Sequence, residues 1–183
     1  DLPYDGTEAQ AMGEYVQELM NREEVAEQTA RWNICLEEQS LSTLENFLYA
    51  KALMPTSCLT GPVTIFCEQT REARVSAFVK RIFPDAQIEV LPIDFDLSKN
   101  RYLAPEVTQK KEELAIQEGL WTLEDPVRIE RHHLFFERKF AYLRERQAQG
   151  LSHVDAVKEW FERQEVIICE LMPDHPLLNR VGK

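Results

Sequence analysis

Between residues 43 and 96 the apolar residues switch repeatedly between helical and strand spacing, and this alternation constrains the fold more than any other feature of the chain. Thr43 to Met54 places Leu44, Phe47, Leu48 and Ala52 on one helical side and is stopped by Pro55. "GPVTIFCE" (61–68) is then a β-branched, apolar strand opening on a Gly-Pro turn signal. "TREARVSAFVKRIFP" (70–84) returns to helical spacing, with Ala73, Phe78, Val79 and Ile82 inward and Pro84 as the stop. "AQIEVLPIDFD" (86–96) returns to strand. Helices of this length between short apolar strands are crossover connections, and crossovers join parallel strands. The predicted class is α/β with a small parallel sheet.

The flanks extend the pattern. Thr7 and Gln10 have capping-box spacing and open a helix carrying Ala9, Met12, Val16 and Leu19, which ends between Asn21 and Thr29. "WNICLE" (32–37) reads as a further strand. Beyond Asp96 the texture becomes helical, over about 105–119, 125–148 and 152–165, with Pro105 and Pro126 at first-turn positions and Ser152 with Asp155 as a cap. Leu134, Phe135, Tyr142 and Leu143 give the longest helix an apolar side for Trp160 and Phe161 to pack on. "VIICEL" (166–171) reads as strand and 173–183 as a surface tail. The division is an α/β core over 1–96 and a helical extension over 97–183 packed on it. Three strands make a thin parallel sheet. Either 166–171 adds a fourth, or strands preceding this sequence complete it; the expectation is the second.

Charge and cysteine usage narrow the function classes. A formal net charge of −11, with 11 acidic against 3 basic side chains in residues 1–60, excludes a nucleic-acid partner, which needs a basic face. No apolar run approaches the ~20 residues of a membrane span. The four cysteines, at 35, 58, 67 and 169, lack metal-ligand spacing, so a reduced, cytoplasmic protein is expected, with no metal site.

In open α/β sheets, ligands lie beyond the carboxyl ends of the strands, where helix N-termini present free N–H groups. Three segments occupy that edge: 37–46, 68–74 and 92–96. The first holds Glu37, Ser40, Ser42, Thr43, Glu45 and Asn46. Ser42 with Glu45 reads as a capping box; Asn46, a poor helix former in the first turn, is unexplained by capping and is a candidate ligand contact. In the second, Arg71 and Arg74 share a helix face and suit a carboxylate or phosphate, with Glu68 and Glu72 as competing local partners. In the third, Asp94 and Asp96 fit an acidic turn better than a cation or ribose site. His132 and His133, about 100° apart on a helix, read as an ordinary helical face.

These segments resemble the YdcF/SanA/ElyC-like family, domain of unknown function 218, across roughly residues 7–95. Its members open a helix with Ser-Glu-Ala, matched by Thr7, Glu8 and Ala9. They carry Glu-x-x-Ser-x-Asn-Thr-x-Glu-Asn, matched by Glu37, Ser40, Thr43, Glu45 and Asn46 with Ser42 in the Asn position. They start a later helix with His-x-x-Arg, matched at Arg74 with Arg71 in the His position. The glycine-rich strand-to-loop segments that open the family's domain are absent, and the helical second half looks like that of fungal-type soluble members. The resemblance implies a Rossmann-like three-layer fold and a small-molecule site, nucleotide-like or S-adenosylmethionine-like and anionic, at the carboxyl edge of the sheet. It names no reaction. The expected ligand contacts are Glu8, Glu37, Ser40, Thr43, Glu45, Asn46, Arg71 and Arg74. The alternative from another class is a non-catalytic interaction protein whose helical half, around 132–147, docks a protein partner. A third, metal-assisted hydrolysis, would use Glu8, Asp94 and Asp96.

Overall fold

The computed structural model describes residues 6–94 and 105–178. Seven α-helices and two strands are found among them: α1 (Glu8–Met20), α2 (Glu23–Thr29), α3 (Thr43–Leu53), β1 (Pro62–Glu68), α4 (Glu72–Ile82), β2 (Gln87–Ile93), α5 (Pro105–Thr122), α6 (Pro126–Ala148) and α7 (His153–Leu171). The chain is mostly helical, and β1 and β2 form a two-stranded parallel sheet in register from Pro62↔Gln87 to Glu68↔Ile93. The coarse α/β expectation therefore holds, with α4 as the crossover between the strands.

The capping signals act locally as expected. Thr7 accepts from Gln10 N–H at 3.1 Å while the Gln10 side chain accepts from Thr7 N–H at 3.0 Å, a complete capping box on α1. Ser42, Asp125 and Ser152 cap α3, α6 and α7. Alternating residues of the strands divide the sheet. Val63, Ile65, Cys67, Ile88 and Val90 turn toward α3 and α4, whose Leu44, Val75, Phe78, Val79 and Ile82 form one core with Phe83. A second core lies in the helical half, where Phe135 and Leu143 of α6 meet Ala156, Trp160 and Ile168 of α7, with Met172 beyond. The end of α5 joins the two cores, with Leu120 and, just past the helix, Leu123 packing on the first and Trp121 on the second.

Four expectations are corrected. Residues 32–37 form no strand; this segment has no ladder partner, Trp32 and Leu36 are exposed, and Leu36 touches α1 at Gly13. Residues 166–171 continue α7 as helix, because Ile168 falls in helical register with Trp160 and Ala156 toward α6. The expected surface tail is packed inward as far as Leu178: His175 is fully buried, and Leu177 and Leu178 pack against the second core. Several residues placed inward, Ala52, Ala73, Leu134 and Phe161, are exposed, while Val75 takes the inward place on α4. The sheet's second face carries Phe66, 66% exposed, so among the described residues only one face of this parallel sheet is covered.

Candidate functional site

Thr7 positions the site's outer wall. As N-cap of α1 it also donates its hydroxyl to Glu38 at 2.9 Å, which ties α1 to the loop before α3. That loop is shaped by Glu37, whose carboxylate accepts from Gln39 N–H at 2.7 Å, Ser40 N–H at 3.0 Å and the Ser40 hydroxyl. Across from them stand one side of α3 and the covered side of β1. Between lies a cleft of about 520 Å³. Its apolar wall includes Met12, Phe47, Met54, Val63, Ile65 and Phe83; its polar groups are Thr7, Glu8, Glu37, Glu38, Ser40, Asn46 and Arg71.

Five of the eight expected contacts thus meet in one cleft: Glu8, Glu37, Ser40, Asn46 and Arg71. Glu8 and Asn46 are exposed there. Arg71 is half exposed, with its Nε 3.3 Å from Glu68. Thr43, Glu45 and Arg74 do not line the cleft. Arg74 turns to α5, where its Nε lies 2.9 Å from Glu112 in a largely buried pair. The pair's angles satisfy no hydrogen bond, so its attraction is electrostatic in character. Burial lowers the Arg74 pKa, opposed by the Glu112 charge. The two arginines, although three residues apart, therefore serve different neighbours. Asp94 is exposed at the end of β2, and Asp96 lies outside the described residues.

Glu45 is fully buried on another side of α3. Ser42 Oγ caps its N–H at 3.3 Å, but its carboxylate does not return to Ser42 as a reciprocal box would; Oε2 accepts from Leu41 N–H at 2.7 Å. Oε1 faces α6, with His132 Nδ1 at 3.4 Å and His133 Nδ1 at 3.3 Å. An ionised carboxylate only accepts, so an imidazole bonded to it presents a protonated nitrogen. Burial pushes the Glu45 pKa up, but the hydrogen bonds from His132 and Leu41 and the charges of both histidines outweigh it and hold the carboxyl below its ordinary range. The Tyr49 hydroxyl lies 3.4 Å from His133 Nδ1, and its pKa is raised by burial and then by Glu45, Glu37 and Glu137.

Sequence reading missed this cluster. Adjacent helical histidines diverge, yet one is buried and the other sits at the rim, and both side chains reach the same oxygen. The available signal was Glu45 itself, an acid next to inward-facing Leu44 on a helix whose core side was already assigned. Among the described residues, no group of three or more His, Cys, Asp or Glu is placed to hold a metal ion. None of the described helices is long and apolar enough to cross a membrane. Comparison of the chain with protein-family models, curated proteins and solved structures finds no match.

Proposed function

We propose that this chain is a Rossmann-like α/β protein of the domain-of-unknown-function 218 type that holds a small molecule in the cleft between α1, α3 and β1. The observation carrying the reading is the gathering of Glu8, Glu37, Ser40, Asn46 and Arg71 around one hollow with an apolar wall. Pockets of this size, with an apolar wall and a few convergent polar groups, are the usual form of a ligand site. Asn46 contributes both an acceptor and two donors, and Arg71 a guanidinium fork. Arg74 is assigned to the α4–α5 contact. Nucleotide-like and S-adenosylmethionine-like ligands are the candidates that the family resemblance supplies; no reaction is assigned.

The rival reading, partner docking through the helical half, is less favoured because the aromatic residues that motivate it are engaged within the chain. Phe135 is buried in the second core, and Phe136 and Phe140 pack against that core.

The test is thermal-shift screening with S-adenosylmethionine, nucleotides and sugar phosphates, followed by Asn46→Ala. At least one compound should raise the melting temperature, and the substitution should weaken that compound about tenfold, the loss of roughly one good polar contact. Silence across the panel, or a hit indifferent to Asn46→Ala, would refute the reading.

A further inference from the structure

An anion entering this cleft would need free N–H donors and an uncommitted cation. Three consecutive N–H donors of the loop before α3 are already engaged by the chain's own carboxylates. Glu37 takes the N–H groups of Gln39 and Ser40, and Glu45 takes that of Leu41. Ser42 Oγ takes the N–H of Glu45. The cation is shared too, since Arg71 Nε lies beside Glu68. Three carboxylates, Glu8, Glu37 and Glu38, line the same hollow against that single arginine. The surrounding sequence is acidic, with 11 acidic and 3 basic side chains in residues 1–60.

From this we infer that the cleft takes a small apolar molecule bearing a protonated amine, with at most one acidic group, and rejects polyanions such as polyphosphates. The inference rests on the small-molecule reading of the cleft and corrects the anionic ligand expected from the sequence. The amine lies toward Glu8, an exposed cleft carboxylate whose oxygens accept no hydrogen bond from the described residues. The hydrocarbon or aryl body lies on Met12, Phe47, Met54 and Ile65. A single carboxylate on the ligand meets the outer nitrogens of Arg71, as in an amino-acid-like zwitterion. A polyphosphate has no such place. It would have to draw Arg71 from Glu68 and bring its charge against three carboxylates, which like charge repels.

The experiment uses four probes sharing a phenyl body: 2-phenylethylamine, phenylalanine, 3-phenylpropionate and phenyl phosphate. Each is titrated into the ¹⁵N-labelled chain at low salt, with cleft amide shifts as the readout. The amine and the zwitterion should bind at least about tenfold more tightly than the carboxylate and the phosphate. Glu8→Gln should weaken the amine severalfold and leave phenylpropionate no weaker, and added salt should weaken the amine. Equal or tighter binding of phenyl phosphate would overturn the charge assignment while leaving a ligand site in the cleft. Cleft shifts from none of the four at millimolar concentration would overturn the cleft reading and this inference together. An amine response unaltered by Glu8→Gln would overturn the placement of the amine and the inference with it.

Discussion

Gly119 tests how the helical half is joined to the α/β half. It lies on α5 against the ring of Phe78 on α4, and Phe78 is only 2% exposed. A Cβ added at Gly119 would fall inside 3.0 Å of both Phe78 Cζ and Cε1, and 3.4 Å from Cε2. The ring would have to move by about 1.1–1.7 Å to restore ordinary contact near 3.5–4.0 Å. Val75, Val79 and Ile82 belong to the same buried cluster and limit that movement. Overpacking of this kind costs about 1–3 kcal/mol. Alanine's better helix propensity returns up to about 1 kcal/mol. Gly119→Ala should therefore destabilise the chain by up to about 2 kcal/mol, a fall in Tm of up to roughly 8 °C for a chain of this size. Circular dichroism at 222 nm during thermal and urea unfolding measures it. The control is Phe78→Leu, which removes the ring: in that background Gly119→Ala should be neutral or stabilising. A rise in Tm on Gly119→Ala alone, or the same loss in both backgrounds, would refute the close helix approach.

Glu45→Ala should cost about 3–5 kcal/mol in urea unfolding, because it strands the Leu41 N–H and removes the shared acceptor of His132 and His133. Glu45→Gln keeps an acceptor for Leu41 and should cost clearly less; equal losses would count against the assigned bonds. The folded Glu45 pKa lies below its ordinary 4.5, so its stabilising contribution is complete above about pH 4.5 and is lost as pH falls through the folded value. Urea midpoints between pH 7 and 3 should drop less steeply below pH 4.5 for Glu45→Gln than for the parent; identical slopes would contradict the shift.

The α/β pattern, the α4 crossover and the caps at Thr7, Ser42 and Ser152 were legible in the sequence because period and capping are local properties of a few neighbouring residues. The same holds for the set Glu37, Ser40 and Asn46. Loop and helix register fix those three within ten residues of one another, and the fold needs only to bring β1 alongside. Residues 32–37 and 166–171 were misread for a common reason. A short apolar run satisfies both strand and helix, and a strand exists only where a ladder partner lies beside it. Position 34 has no such partner, and Ile168 has Trp160 and α6 to pack against.

Tertiary structure alone decided the partners of Arg74 and Glu45. Arg71 and Arg74 share a helix face in the sequence, but α5 brings Glu112 to Arg74 and leaves Arg71 at the cleft. Glu45 and the two histidines are separated by 87 and 88 positions and meet because the fold brings one side of α6 within side-chain reach of α3. Charge partnership depends on distance and desolvation, and helical or strand spacing carries information about neither beyond a few residues. The sequence by itself determined which segments form helices and strands around the hollow. Only the packed chain brought Glu8, Glu37 and Glu38 to the same hollow as Arg71.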